Sequence, residues 1–469
     1  MKKLKILMAS SEAAPIIKVG GLGDVVGSLP AALSQLGCEV RIILPLARGV
    51  DRRKYRLVKI FSALKIKSAG RNFSVNIWQT KTAVKGATVY LLENEEYFGR
   101  AGVYDGRMTE KFLFFNLAVL ESLSAIGFQP DIIHCHDFFT ALIPVLLKTK
   151  EFSRLKNIKT LYTIHNLEHQ GKDFPVVLQT GNLAADSLAS LARDAADGDV
   201  NFMVQGIINA DSVNTVSPTY AREILTRPYA AGLEKITREY RRKIFGILNG
   251  LDTDFFNPRH DKFIKYNYSP TNPEGKAENK IFLRKKLGLP LDRNVALVAL
   301  ISRLTDQKGL ELITEKLIKL DCQFVFLGEG EPRYEEYLKK IARHHPDKVK
   351  TIIGFDAALA NQIYAAADIF LIPSRFEPCG LTQMISARYG TIIVARATGG
   401  LKDTVTSDIG FTFKDFSAAA LCVTLKKALN LYYRFPKKWL KLRENCLKKD
   451  FSWSKSAKGY LHLYQKLVG

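Results

Sequence analysis

Short apolar runs recur along the chain, each ending in a polar cluster or a turn. In the first half they fall at residues 4–9, 40–45, 131–136, 160–165 and 210–216. In the second half they fall at 295–301, 323–327, 350–353, 369–372 and 391–394. Runs that are apolar nearly throughout, and do not alternate with polar residues, predict strands buried on both faces, as in parallel sheets covered by helices. Amphipathic stretches separate them. Residues 25–36 are apolar at helical spacing and stop at Gly37, a suitable C-cap, and Ser217-Pro218 opens another helix. Two such series of similar length predict an α/β protein of two doubly wound domains. The change-over falls at 246–252, where Asn249-Gly250 is a turn signal, and 266–280 reads as a loop. No internal repeat is present.

The length of 469 residues suits two large domains, and 47% apolar with 25% charged residues is a globular balance. No apolar run approaches the roughly 18 residues of a membrane span, so no membrane partner is expected. The basic start, Met1-Lys-Lys-Leu-Lys, precedes an apolar stretch shorter than the roughly 7–15 residues of a secretion signal and reads as a first strand. Six cysteines spread singly, at 38, 135, 322, 379, 422 and 446, suggest reduced thiols and a cytoplasmic setting. The net charge of +23 concentrates at 52–85, with ten Lys/Arg and no acid, and at 426–466, with twelve Lys/Arg against Glu444 and Asp450. Neither cluster accompanies a nucleic-acid-binding motif, and both read as solvated faces or Lys-rich helices, so no nucleic-acid partner is expected.

Candidate chemistry sits where strands end. Lys18-Val-Gly-Gly-Leu-Gly follows the first strand and precedes a helix; glycines there let backbone N–H groups approach a phosphate. Its spacing is neither that of a dinucleotide fold nor that of a P-loop. His134, His136 and Asp137 end one strand, and His165-Asn166 end another. In the second series, Ser302-Arg-Leu-Thr-Asp-Gln-Lys-Gly309 and Pro373-Ser-Arg-Phe-Glu-Pro-Cys-Gly-Leu-Thr382 hold comparable positions. Arg303 and Lys308 place two cations at one strand end, which suits a diphosphate leaving group. No metal site is expected: His134-Cys-His136 lacks a second ligand pair. Asp252-Thr-Asp254 and Asp197-Gly-Asp199 read as turn chemistry, the first capping a helix.

Together these motifs resemble the bacterial glycogen synthases and plant-type starch synthases. The resemblance runs through Lys18-Val-Gly-Gly-Leu-Gly-Asp24, Tyr97-Phe98 with Tyr104, His134 to Asp137, Tyr162-Thr-Ile-His-Asn166, Asn249-Gly250, the two loops after the second-series strands, and Thr398-Gly-Gly-Leu401. It implies a GT-B glycosyltransferase fold with an active-site cleft between two Rossmann-like domains. The acceptor-side domain would be 1–246, the nucleotide-sugar domain 247–450, and the last helix, 451–469, would cross back to the first domain. It implies a retaining hexosyltransferase that moves glucose from ADP-glucose to the non-reducing end of an α-1,4-glucan without a metal or other cofactor. Catalytic roles would fall to His165, Arg303, Lys308 and Glu377. Substrate binding would fall to Lys18, Gly20, Gly21, Asp24, Tyr97, Asp137, Asn249, Phe355, Cys379, Gly380, Leu381 and Thr382. Four positions depart from the family's pattern: Phe138-Phe139 stands for Trp-His, Val204 for Lys, and Phe355 near a Tyr that stacks on adenine. A rival within the same fold is a retaining transferase using a UDP- or GDP-sugar. Many of those have a second Glu eight residues after the first, where this chain has Ile385. The sequence leaves the oligomeric state open.

Overall fold

The apolar runs become the central strands of two sheets. The computed structural model describes residues 3–469, so Met1 and Lys2 of the basic start lie outside the described residues. The chain divides into two units, Met1–Gly250 with Trp453–Gly469, and Leu251–Ser452. The first contains β1 (Lys5–Ala9), β2 (Glu39–Pro45), β3 (Val58–Ser68), β4 (Arg71–Thr80), β5 (Ala87–Glu93), β6 (Ile132–His136), β7 (Lys159–Ile164), β8 (Lys172–Asp173), β9 (Val200–Asn201), β10 (Ser212–Thr215) and β11 (Ile244–Gly246). The second contains β12 (Leu297–Ile301), β13 (Gln323–Gly328), β14 (Val349–Ile353), β15 (Ile369–Ile372), β16 (Ile392–Arg396) and β17 (Gly410–Phe413).

The first sheet runs β11-β10-β7-β6-β1-β2-β5-β4-β3 and the second β14-β13-β12-β15-β16-β17. Both are Rossmann-like, and both reverse strand order beside their first strand. Such switch points open a crevice at the carboxyl ends of the strands. In the first unit the switch lies between β1 and its parallel neighbours β2 and β6, with Ala9 paired to Cys135. In the second it lies at β12, between β13 and β15. The loops that carry the candidate residues therefore leave adjacent strands. The arrangement is that of the GT-B class.

The basic run at 52–85 is neither a helix nor part of the parallel core. It forms the antiparallel β3–β4 ribbon that extends the sheet through β5. Val58, Lys59, Ile60 and Phe61 are exposed there, so the edge lacks the apolar run that marks the buried strands. The first helix begins earlier than its apolar period suggests and spans Gly21–Gln35, taking Gly21 and Gly23 into its first turn. Asp252 caps a turn, not a helix: its Oδ1 accepts from the N–H groups of Asp254 and Phe255 at 3.0 and 2.9 Å. Gly246 lies in β11, where a Cβ would sit 2.4 Å from Pro218 Cα. The last helix, Trp453–Val468, buries Trp453, Tyr460, Leu463 and Tyr464 in the first unit, and Trp453 Nε1 donates to Ser28 Oγ at 2.7 Å. Among the described residues no helix is long and apolar enough to cross a membrane.

Candidate active site

In the first unit, β1 delivers Ser10, Ser11 and Glu12 into the crevice, and all three are buried. Glu12 organises the glycine loop. Its Oε2 accepts from the N–H groups of Val19 and Gly20 at 2.6 and 2.9 Å, at the mouth of helix Gly21–Gln35. Tyr104 donates to Glu12 Oε1, and its hydroxyl lies 3.0 Å from Ser11 Oγ. Burial, then the Glu12 carboxylate, pushes the Tyr104 hydroxyl far above its ordinary range, so it stays protonated. Two N–H groups of the loop are thus occupied by an internal carboxylate. Lys18 Nζ stands 2.7 Å from Asp24 Oδ1, and both side chains are partly exposed. Gly23 packs tightly: a Cβ would sit 3.0 Å from Glu12 Oε2 and 3.2 Å from Ile17 O, so those neighbours would have to give way by a few tenths of an ångström.

Beside this loop, β6 and β7 end in a layer of imidazoles. Register pairs His136 with Thr163, so His165 emerges next to His136. His136 Nδ1 and His165 Nε2 are 3.1 Å apart, and the rings of His134 and His136 lie 4.1 Å centroid to centroid. Burial lowers His134 and His165 to about 3 and His136 well below its ordinary value; all three are neutral near pH 7. Asp137 follows with a positive φ of 53°. Its Oδ1 accepts from His165 N at 2.7 Å, which ties the two strand ends together. Burial outweighs the N–H groups of His165 and Asn166 and raises Asp137 to about 7. Asn249 is 7% exposed, and its Oδ1 is buried without a partner among the described residues. Its neighbour Gly250 presses on the last helix, where a Cβ would meet Trp453 Cα at 2.6 Å.

The second unit presents charge instead. Lys308 Nζ lies 2.6 Å from Glu377 Oε2, and Ser374 Oγ donates to the same oxygen at 2.9 Å. The two loops are laced together by Gln307, whose carbonyl accepts from Arg375 N at 2.8 Å and whose side chain donates to Phe376 O at 3.2 Å. Arg375 itself pairs with Glu311 at 2.6 Å and stacks on Phe416, so Lys308, and not Arg375, is the partner of Glu377. Arg303 is exposed, as is Phe355 at 77%. Gly380, with φ 72°, leads through Leu381 into helix Thr382–Arg388, and Gln383 Nε2 donates to the carbonyls of Cys379 and Gly380. Behind this loop lies Thr398-Gly399-Gly400. Gly400 N donates to Glu377 O at 3.0 Å, and a Cβ on Gly399 would come 1.9 Å from that oxygen.

The structure gathers Lys18, Gly20, Gly21 and Asp24 in one place, Asp137 and His165 in a second, and Lys308, Glu377 and the 379–382 turn in a third. It sets Tyr97 elsewhere: its ring stacks on Phe114 at 4.0 Å and meets Phe73 edge-on at 5.2 Å. Phe138 and Phe139 are absorbed into an aromatic cluster with Phe112 and Tyr104. Val204 is buried in helix Phe202–Asn209. Sequence reasoning gave no role to Glu12, Tyr104, Ser374, Gly399 or Gly400. Glu12 was within reach of the rule that singled out Asp137, because it lies in the loop just after the carboxyl end of β1.

Residues 5–239 match the family described as starch synthase catalytic domain, and 279–449 match glycosyl transferases group 1. The chain is 41% identical to the glycogen synthase of Streptococcus agalactiae and 42% identical to that of Clostridium beijerinckii, over 99% of this chain and 100% of each relative. Among solved structures it is similar to the catalytic domain of starch synthase IV from Arabidopsis thaliana bound to ADP and acarbose. That match has a TM-score of 0.93 and 36% identity and covers 100% of both chains.

Proposed function

The chain belongs to the glycogen and starch synthase family of glycosyltransferases, and from that membership we propose how its own residues act. The reaction is transfer of glucose from ADP-glucose to the non-reducing end of an α-1,4-glucan with retention of configuration. The bond from the glucosyl anomeric carbon to the diphosphate oxygen breaks, and the electron pair leaves with ADP. The 4-hydroxyl of the glucan adds on the same face and gives up its proton to the departing diphosphate oxygen.

The Lys308–Glu377 pair is the observation on which the residue roles rest. Glu377 Oε2 is engaged by Lys308 and Ser374, which leaves Oε1 to accept from glucose hydroxyls. Lys308 and the exposed Arg303 stabilise charge building on the departing diphosphate. Lys18 adds a third cation by exchanging Asp24 for a phosphate oxygen. His165, held neutral by burial, donates a hydrogen bond to the sugar and does not act as a cation. Phe355 offers an exposed ring on which adenine can stack.

The electrostatic work is assigned to side-chain cations, so we propose that no metal or other cofactor takes part. Buried free cysteines support a cytoplasmic location. A donor screen tests the proposal: purified protein with glycogen and radiolabelled ADP-, UDP- or GDP-glucose, with and without EDTA. Incorporation from ADP-glucose that survives EDTA is expected. Incorporation only from UDP- or GDP-glucose, or only with an added divalent ion, would overturn it.

A further inference from the structure

Behind His165 lies a hydrogen-bonded array whose direction can be read atom by atom. Asn214 Oδ1 can only accept, so Thr163 donates its hydroxyl hydrogen to it at 2.6 Å. Thr163 Oγ1 must then accept from His134 Nε2, also at 2.6 Å, which puts the His134 hydrogen on Nε2. His134 Nδ1 is left as an acceptor and takes the hydroxyl hydrogen of Tyr464 at 2.8 Å. Asn214 Nδ2 donates to Tyr460 at 3.2 Å, so both ends of the array rest on the last helix. All five side chains are buried.

His134 is clamped at both ring nitrogens, and His136 lies against its face. His136 Nε2 is buried and has no partner among the described residues. A hydrogen there would be an orphaned buried donor, a rarer and costlier state than a bare lone pair. The hydrogen of His136 therefore belongs on Nδ1, where it points at His165 Nε2, 3.1 Å away. His165 Nε2 must accept, and its own hydrogen falls on Nδ1.

We propose that His136 is a positioning residue that holds His165 as the Nδ1–H tautomer, and that Tyr464 of the last helix holds His136 by fixing the ring of His134 against it. Resting on the sugar-facing role of His165 proposed above, this makes the extreme C-terminal helix part of the catalytic machinery. His165 presents one donor of fixed identity to the substrate, and a turned ring would present an acceptor.

Two measurements on the full chain test this. Long-range proton–nitrogen correlation spectra of histidine-labelled protein should show His165 protonated on Nδ1, with Nε2 bare. His165 protonated on Nε2 would overturn the proposal whether or not the protein transfers glucose. The second compares His136→Asn with His136→Gln. An Asn amide reproduces the Nδ1 position, whereas a Gln amide reproduces Nε2. His136→Asn should keep kcat within about threefold, and His136→Gln should lower it about tenfold or more, with KM for ADP-glucose little changed. Equal losses in both would refute the positioning role. Tyr464→Phe should leave a folded protein with kcat reduced about threefold and the His165 tautomers mixed; an unaltered His165 spectrum would remove Tyr464 from the array. A wild type without transferase activity would dismiss the functional reading but leave the spectral result standing.

Discussion

The carboxyl ends of β6 and β7 in one sheet and of β12 and β15 in the other both lie at or near the point where strand order reverses, yet they are built from opposite materials. The first is neutral and largely closed off: the buried imidazoles of His134 and His136, the half-buried His165, a buried carboxyl raised to about 7, and hydrogen bonds whose direction is fixed. The second is charged and partly exposed: a Lys308–Glu377 pair with Arg303 nearby in sequence and open to solvent. A group that must hold a sugar in one orientation gains from a rigid low-dielectric setting, where hydrogen bonds are strong. Groups that must meet a diphosphate and release it gain from charges that can exchange partners with the ligand. The comparison predicts that breaking the second region removes reaction chemistry, whereas breaking the first alters orientation and pH response.

The largest effect is expected at Glu377. Glu377→Gln keeps a hydrogen-bonding shape but removes the charge, and kcat should fall by about 10²–10³-fold with a small change in melting temperature. A large drop in melting temperature with near-normal turnover would make Glu377 structural. Gly399→Ala should come next. The new methyl would meet Glu377 O in a backbone with φ 45°, so the loop must move. A cost of about 2–4 kcal/mol in stability, together with a fall in kcat, is expected; unchanged denaturation and kinetics would show that the close approach does not hold the loop. Lys18→Ala should weaken donor use by about 1.5–3 kcal/mol, roughly 10–150-fold in kcat/KM. Its pair with Asp24 is exposed, so the fold should be unaffected, and unchanged kinetics would exclude Lys18 from the donor site.

The remaining effect sharpens the contrast through pH. The folded Asp137 carboxyl titrates at about 7, above its ordinary 3.8. Between those values the native state holds a proton that the unfolded chain has released. Its contribution is complete below about pH 4 and is lost as pH rises through 7. Asp137→Asn keeps an oxygen acceptor for His165 N and does not titrate. Relative to this variant, the wild type should lose about 2–3 kcal/mol of stability between pH 5 and 8. A stability difference independent of pH would mean that the carboxyl is ionised throughout.

The parallel core was readable because strands buried on both faces leave uninterrupted apolar runs, as at β1, β12 and β15. Strand β3 was not, because Val58 and Lys59 face solvent alike and carry no burial signal, whereas β4 does alternate buried Phe73, Val75 and Ile77 with polar residues. Helix Gly21–Gln35 starts four residues before its apolar period because Glu12 captures the N–H groups ahead of it, a contact between segments that periodicity does not report. Spacing placed Lys308 and Glu377 at neighbouring strand ends, but Arg375 was as available a partner for Glu377 as Lys308 until Glu311 was seen to hold it. The role of Tyr464 was illegible for the same reason: its partner, His134, is 330 residues away.

The most direct test of the central claim, retaining glucosyl transfer from ADP-glucose, is the anomeric configuration of the product. ADP-glucose labelled with carbon-13 at the anomeric carbon, incubated with a short α-1,4-glucan and the protein, can be followed by NMR. The label should pass from the diphosphate linkage into an α-1,4 linkage at the non-reducing end. A β-linked product, or release of the label as free glucose alone, would contradict it.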